Sequence, residues 1–212
     1  MEASTQSSLG WYTGYFRFSW PTKSEPQWYL DLIIGHAVVA PVIHRYLQGL
    51  SLWYFHRRAN RDERGHEFAF SFLTTAEHAQ EISVELQGDS LLKDLHEAGL
   101  VLEDTCANLE SIPTSEKPPY SWHDWPSSVQ NSWPHFVMGA CQTWLKLADI
   151  LLPAIQQTSP ASDLNIILQH YQQLLTQIND LWQKNGAHAF LHHLNAVFGY
   201  IPVRLGNELI VF

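Results

Sequence analysis

Residues 52–72 read LWYFHRRANRDERGHEFAFSF, and the fold turns on this stretch. Trp53 and Phe55 alternate before the arginines, and Phe68, Phe70 and Phe72 alternate after the charged segment. Period-two alternation on both sides of a polar loop predicts a half-buried β-hairpin. Arg57 and Arg58 fall where the first strand ends. Strand ends are places where loops carry functional groups over a rigid scaffold, and a guanidinium there can grip a carboxylate with two parallel hydrogen bonds. The competing reading makes Arg57, Arg58, Arg61 and Arg64 a solvated hairpin tip balanced by Asp62 and Glu63.

Upstream of the hairpin, residues 11–20 predict a strand and residues 25–50 a helix, with Leu30, Ile33, Ile34, Ala37, Val38 and Val42 at helical spacing and Pro41 expected to kink or break it. Downstream, Thr75 is placed to cap a helix that breaks at Gln87 and Gly88. A second helical piece over residues 90–98 stops at Gly99, before a short strand over residues 100–103. The order is β-α-β-β-α-β, that of a split ferredoxin-like antiparallel sheet. Residues 1–110 thus form a sheet portion, and residues 111–126, with four prolines and two tryptophans, a linker. Residues 127–212 form a C-terminal helical half of three helices, the last over residues 187–198, in an α+β molecule read as one compact unit.

Composition narrows the function. The chain has 212 residues, 45% of them hydrophobic, enough for a full core. Twelve Lys and Arg against 21 Asp and Glu give a formal charge of −9, which works against the phosphate contacts that bind nucleic acid. Two cysteines, Cys106 and Cys141, are too few for a zinc or disulfide framework. The opening residues MEASTQSS lack a signal sequence, and no apolar run reaches the roughly 18 residues of a membrane helix. The chain reads as cytoplasmic, with no membrane or nucleic-acid partner. Nine tryptophans fit a heavy core or a peptide-binding groove.

The last informative segment is HAFLHHLNAVFGY, residues 188–200. His188 and His192 are four apart and share a helix face with Asn195. No Glu follows His188 and no third ligand is evident, so no metal site is assigned and no cofactor is called for. His193 points about 100° away from His192 around the helix. A neutral imidazole there can act as a general base, or simply rest on core or solvent contacts.

Taken together, these segments resemble the small C-terminal elimination domain of lantibiotic dehydratases and the related thiopeptide-type bacteriocin biosynthesis proteins. The resemblance runs from about residue 25 to the end. Pro41 follows the first helix; residues 53–58, WYFHRR, resemble the family's W-F-F-I-R-Y; residues 67–72, EFAFSF, resemble H-L-R-L-R-F; residues 191–199, LHHLNAVFG, resemble H-M-x-x-N-R-L-x-G. It implies a lyase, a dehydratase component that removes the α-proton of a glutamylated Ser or Thr in a precursor peptide and expels glutamate, after a separate enzyme has attached the glutamate. Arg57 would then hold the leaving carboxylate and His192 or His193 would be the base. Trp53, Arg58, His66 and Asn195 would bind substrate, with Asn195 orienting the imidazole and the peptide lying along the sheet margin near Trp53 and Trp122 to Trp125. The family's two second-strand arginines fall on Ala69 and Ser71, the arginine after the helix asparagine on Ala196, and the helix histidine on Leu191. Each lost charge-assisted contact is worth roughly 1.5–3 kcal/mol. Two alternatives accompany elimination: a formal [4+2] cycloaddition between dehydroamino acids, and a non-catalytic peptide-binding module.

Overall fold

The computed structural model describes residues 8–113, 117–156 and 163–211; residues 1–7 of the opening segment and 114–116 of the expected linker lie outside these. The antiparallel sheet contains β1 (Leu9–Phe18), β2 (Leu52–Ala59), β3 (His66–Thr75), β4 (Val101–Asp104) and β5 (Glu110–Pro113). Its order is β2-β3-β1-β4, with β5 also pairing β1. That is the split ferredoxin-like order with one extra strand. β4 pairs with residues 16–18 of β1 and β5 with residues 10–13, so the two lie along the same side of β1. The expected hairpin is present, with Trp53 opposite Phe72, Phe55 opposite Phe70 and Arg57 opposite Phe68.

The helical connections start and stop for local reasons. Thr75 Oγ1 accepts a hydrogen bond from His78 N at 3.3 Å and caps α3 (Ala76–Gly88), whose Ala79, Ile82 and Leu86 form one buried stripe. Asp89 adopts an extended conformation that ends α3 and caps α4 (Ser90–Glu97) through Leu92 N at 2.8 Å. α4 closes with Gly99 N donating to His96 O and Leu100 N to Leu95 O, the paired bonds that need a left-handed residue, and Gly99 has φ 68°. Pro41 does not break its helix. α1 (Tyr29–Ile33) runs through a π-helical turn, Ile34–Val39, into α2 (Ala40–Arg45). Ala40 N donates to Gly35 O, five residues back, and this wider turn precedes the residue that cannot donate.

The hairpin is buried on both faces, where alternation predicted one. On the first face, Phe16, Phe18, Phe68, Phe70 and Phe72 are at most 2% exposed beneath the Ile34–Val39 turn and α3. On the second, Trp11, Tyr54, Ala69 and Ser71 are also buried. The second face is covered partly by the expected linker: Tyr54 Oη donates to Pro119 O at 2.6 Å, and Tyr120 stacks on His56 with ring centres 3.8 Å apart. Ser71 and Thr13 satisfy one another there at 3.0 Å.

The C-terminal half packs against this sheet. α5 (Ser127–Gln156) passes the outer edge of β2, where Phe55 N donates to Cys141 Sγ at 3.2 Å, Trp133 meets Tyr54 and Trp144 meets Phe55. α6 (Leu164–Gly186) packs on α1 and α5, and His36 ties the layers by bonding Tyr171 Oη at 2.7 Å and Asp149 Oδ1 at 3.1 Å. The expected separate last helix instead continues α6 through a second π turn, Ala187–His192, into α7 (His193–Val197). Gly199, with φ 69°, ends it. A small hairpin, β6 (Val203–Leu205) and β7 (Glu208–Ile210), follows; Gly206 and Asn207 between two apolar runs are its sequence signal. Among the described residues no helix is long and apolar enough to cross a membrane.

Candidate functional site

Arg57 points to the helix-covered face, and its guanidinium is already engaged. Its Nη2 donates to Trp28 O at 3.2 Å, its Nε lies 3.4 Å from Asp31 Oδ1, and its Cζ sits 5.1 and 5.0 Å from the ring centres of Trp28 and Trp144. The second oxygen of Asp31 is 2.8 Å from His66 Nε2, and Asp31 and His66 are wholly buried. A carboxylate only accepts, so it is His66 Nε2 that donates in this contact. Phe18, Trp28 and Trp20 surround that ring at 4.7, 5.0 and 6.3 Å. His66 is therefore an interior group, not the rim residue expected of it. A substrate carboxylate would have to displace Asp31 to reach the Nε edge of Arg57.

The histidines of the last helix stand elsewhere. His188 and His192 stack at 5.3 Å, His193 lies across both at 5.7 and 5.3 Å, and Tyr200 Oη is 3.4 Å from His192 Nε2. None of the residues around Arg57 named above belongs to this cluster. Asn195 is 4% exposed and its Nδ2 has no hydrogen-bond partner, so it does not orient an imidazole as expected. Trp53 is 4% exposed and packs on Phe55, which removes it from any peptide-binding margin. Arg58 projects from the opposite face to Arg57 and pairs with Asp62. The structure thus unites Arg57 with His66 through Asp31, whereas His188, His192 and His193 contact one another and Tyr200.

A different constellation occupies the second face. His56 pairs with Ala69 and Tyr54 with Ser71, so the positions where the resemblance puts two arginines lie on this face and not with Arg57. Here a cavity of about 570 Å³ opens beside β1, β4 and β5, lined by Tyr15, Arg17, Arg64, Thr105 and five carboxylates. Those are Glu63, Glu67, Glu103, Asp104 and Glu110; against two arginines they leave three net negative charges. Arg64 is paired with Glu67, Arg17 Nε donates to Glu103 at 3.1 Å, and Tyr15 Oη donates to Glu110 at 2.9 Å. Tyr120 reaches the same neighbourhood with φ 62°, an uncommon conformation for a large side chain. Burial, then Arg64 and Arg58, lowers the His56 pKa to about 4, so its ring is neutral at physiological pH. Burial also raises the phenols of Tyr15 and Tyr120. The site offers neutral hydrogen-bonding rings above an acidic floor, which suits a cation.

The sheet edge bordering this cavity is open: no strand among the described residues pairs with the outer side of β4 or β5. Sequence reasoning missed the cavity because its residues come from four strands, from the β2–β3 loop and from Thr105 just after β4. The alternation of Thr13, Tyr15 and Arg17 was the available signal. Among the described residues no group of three or more His, Cys, Asp or Glu is placed to hold a metal ion. Comparison of the chain with protein-family models, curated proteins and solved structures returns no match.

Proposed function

We propose that this protein is a peptide-binding component of ribosomal-peptide natural-product maturation, holding an extended precursor peptide along the β4–β5 edge with a basic side chain in the acidic cavity. The observation that carries this reading is the open edge beside a cavity with three net negative charges. An added strand finds unpaired main-chain groups there, and side chains at alternate positions reach the cavity. The site expected near Trp53 is unsuitable, because α5 covers the β2 edge. Titration calorimetry is expected to detect an extended Lys- or Arg-containing peptide, with affinity falling as salt rises and falling further in Glu110→Gln. Equal affinity for a Glu-containing peptide of the same length would reject the proposal.

β-Elimination on glutamylated Ser or Thr is the second reading, favoured by Arg17, Arg64 and the neutral imidazole of His56 around one neighbourhood. Such a reaction needs a base near the peptide α-carbon and a cation near the departing carboxylate. His56 is a weak base when its pKa is about 4, and both arginines already have carboxylate partners. These features favour binding over turnover. Mass spectrometry of a glutamylated peptide incubated with the protein separates the readings: loss of glutamate, abolished by Arg64→Ala, would establish elimination. An unchanged mass is expected if the chain only binds.

A further inference from the structure

The C-terminal end presents a surface that the peptide site does not use. Eight large apolar side chains between residues 197 and 211 are 48–81% exposed, Val197, Phe198, Leu205 and Leu209 among them. Clusters of this kind mark interaction surfaces. The β6–β7 hairpin has only two strands of three residues, and a lone two-stranded hairpin is marginal in water. Val203 and Leu205 lie on one face of the hairpin and Leu209 on the other, so a strand added at its free β7 edge would extend both apolar faces at once.

We propose that this surface pairs with a second copy of the chain, the two hairpins joining through β7 into a four-stranded antiparallel sheet. The outer edges of the hairpin differ in how they meet their own image. A twofold axis centred on β6 would set Arg204 against its twin. One centred on Leu209 sets leucine against leucine and Glu208 against Ile210, with no like charges opposed. Charge also selects this end. Residues 187–212 contain one Arg and one Glu, so the whole surplus of −9 lies in residues 1–186. Two acidic copies repel everywhere else and meet here without that cost.

Sedimentation equilibrium of the full chain at micromolar concentration is expected to give twice the monomer mass of 24.3 kDa. Leu209→Lys, which places two ammonium groups across the axis, is expected to return the mass to 24.3 kDa with far-UV circular dichroism unchanged. Val84→Lys, at a 60% exposed position on α3, is expected to leave the pair intact. Leu209→Cys supplies a reading independent of the Lys variant. Residues directly opposed in antiparallel strands have Cα atoms about 4.5–5.5 Å apart, a disulfide-compatible separation. The native Cys106 and Cys141 are buried, so oxidation should link the chains through residue 209. A wild-type mass of 24.3 kDa would overturn the proposal and leave the surface to a foreign partner. A dimer that survives Leu209→Lys while Leu209→Cys fails to cross-link would overturn it equally.

Discussion

Arg57, His66 and His56 lie on neighbouring strands, yet their surroundings give them different chemistry. Asp31 is wholly buried between Arg57 and His66, with one oxygen facing each. Replacing it with Asn leaves the Arg57 cation beside two indoles without its counter-charge. Asp31→Asn is expected to cost about 3–5 kcal/mol of stability, measured by urea denaturation. A loss below about 1 kcal/mol would mean that Arg57 is satisfied by solvent. His56 carries the pH dependence. Its folded pKa, about 4, lies below the unfolded value near 6.5, so the unfolded chain binds the extra proton between them. The stability tied to neutral His56 is present above about pH 6.5 and is lost as the pH falls toward 4. His56→Phe keeps the stack on Tyr120 and removes the titration. The difference in urea midpoint between pH 7 and pH 4.5 is expected to shrink in that variant relative to wild type, and an identical difference would assign the acid sensitivity to other groups.

At the scale of elements, the π turn between α1 and α2 sets how closely the first helical layer approaches the sheet. Gly35 lies in this turn, and a Cβ built there would stand 2.8 Å from Trp144 Cζ3 and 3.3 Å from Phe68 Cζ. Both are ring atoms, and the Trp144 face also packs against Arg57, so the indole has little room to yield. Gly35→Ala is expected to destabilise by about 1–3 kcal/mol, lowering the thermal midpoint without altering the secondary structure. A neutral substitution would show that the helical layer can slide. Tyr171 and Asp149 hold His36 in the same turn, so one irregular segment joins α1, α5 and α6. Irregularity here serves packing.

For the molecule as a whole, α5 completes the sheet. The amide of Phe55, on an otherwise exposed edge, finds its acceptor in Cys141, and Arg57 finds one of its indole faces in Trp144. Cutting the chain after residue 126 removes both. Urea transitions followed by tryptophan fluorescence, which senses Trp11 and Trp53 in the sheet and Trp133, Trp144 and Trp182 in α5 and α6, and by far-UV circular dichroism are therefore each expected to be single and to coincide in the full chain. A fragment of residues 1–126 is expected to show no cooperative transition. Separate transitions in the full chain would instead make the two halves independent folding units.

Local chemistry was legible in the residues themselves. The paired strands around residues 52–72, the Thr75 cap and the Gly99 stop each depend on neighbours within a few positions, and the strand order follows from short connections around one twisted sheet. Long-range partners were not legible. Arg57 looked available because nothing near it in the chain announces Asp31, 26 positions earlier, or Trp144, 87 positions later. Alternation predicted one buried face because a pattern of residues cannot tell which later segment will lie over the other, and residues 117–126 do so with Pro119 and Tyr120. Pro41 predicted a kink or a break because local rules weigh the missing hydrogen bond, and burial of Ile33, Ile34, Val38 and Val42 holds the helix continuous through a π turn. Sequence by itself determined the elements and their order, since these rest on contacts between near neighbours. Only the tertiary structure decided which charges are occupied and which cavity is open, since those depend on groups brought together by closing long loops.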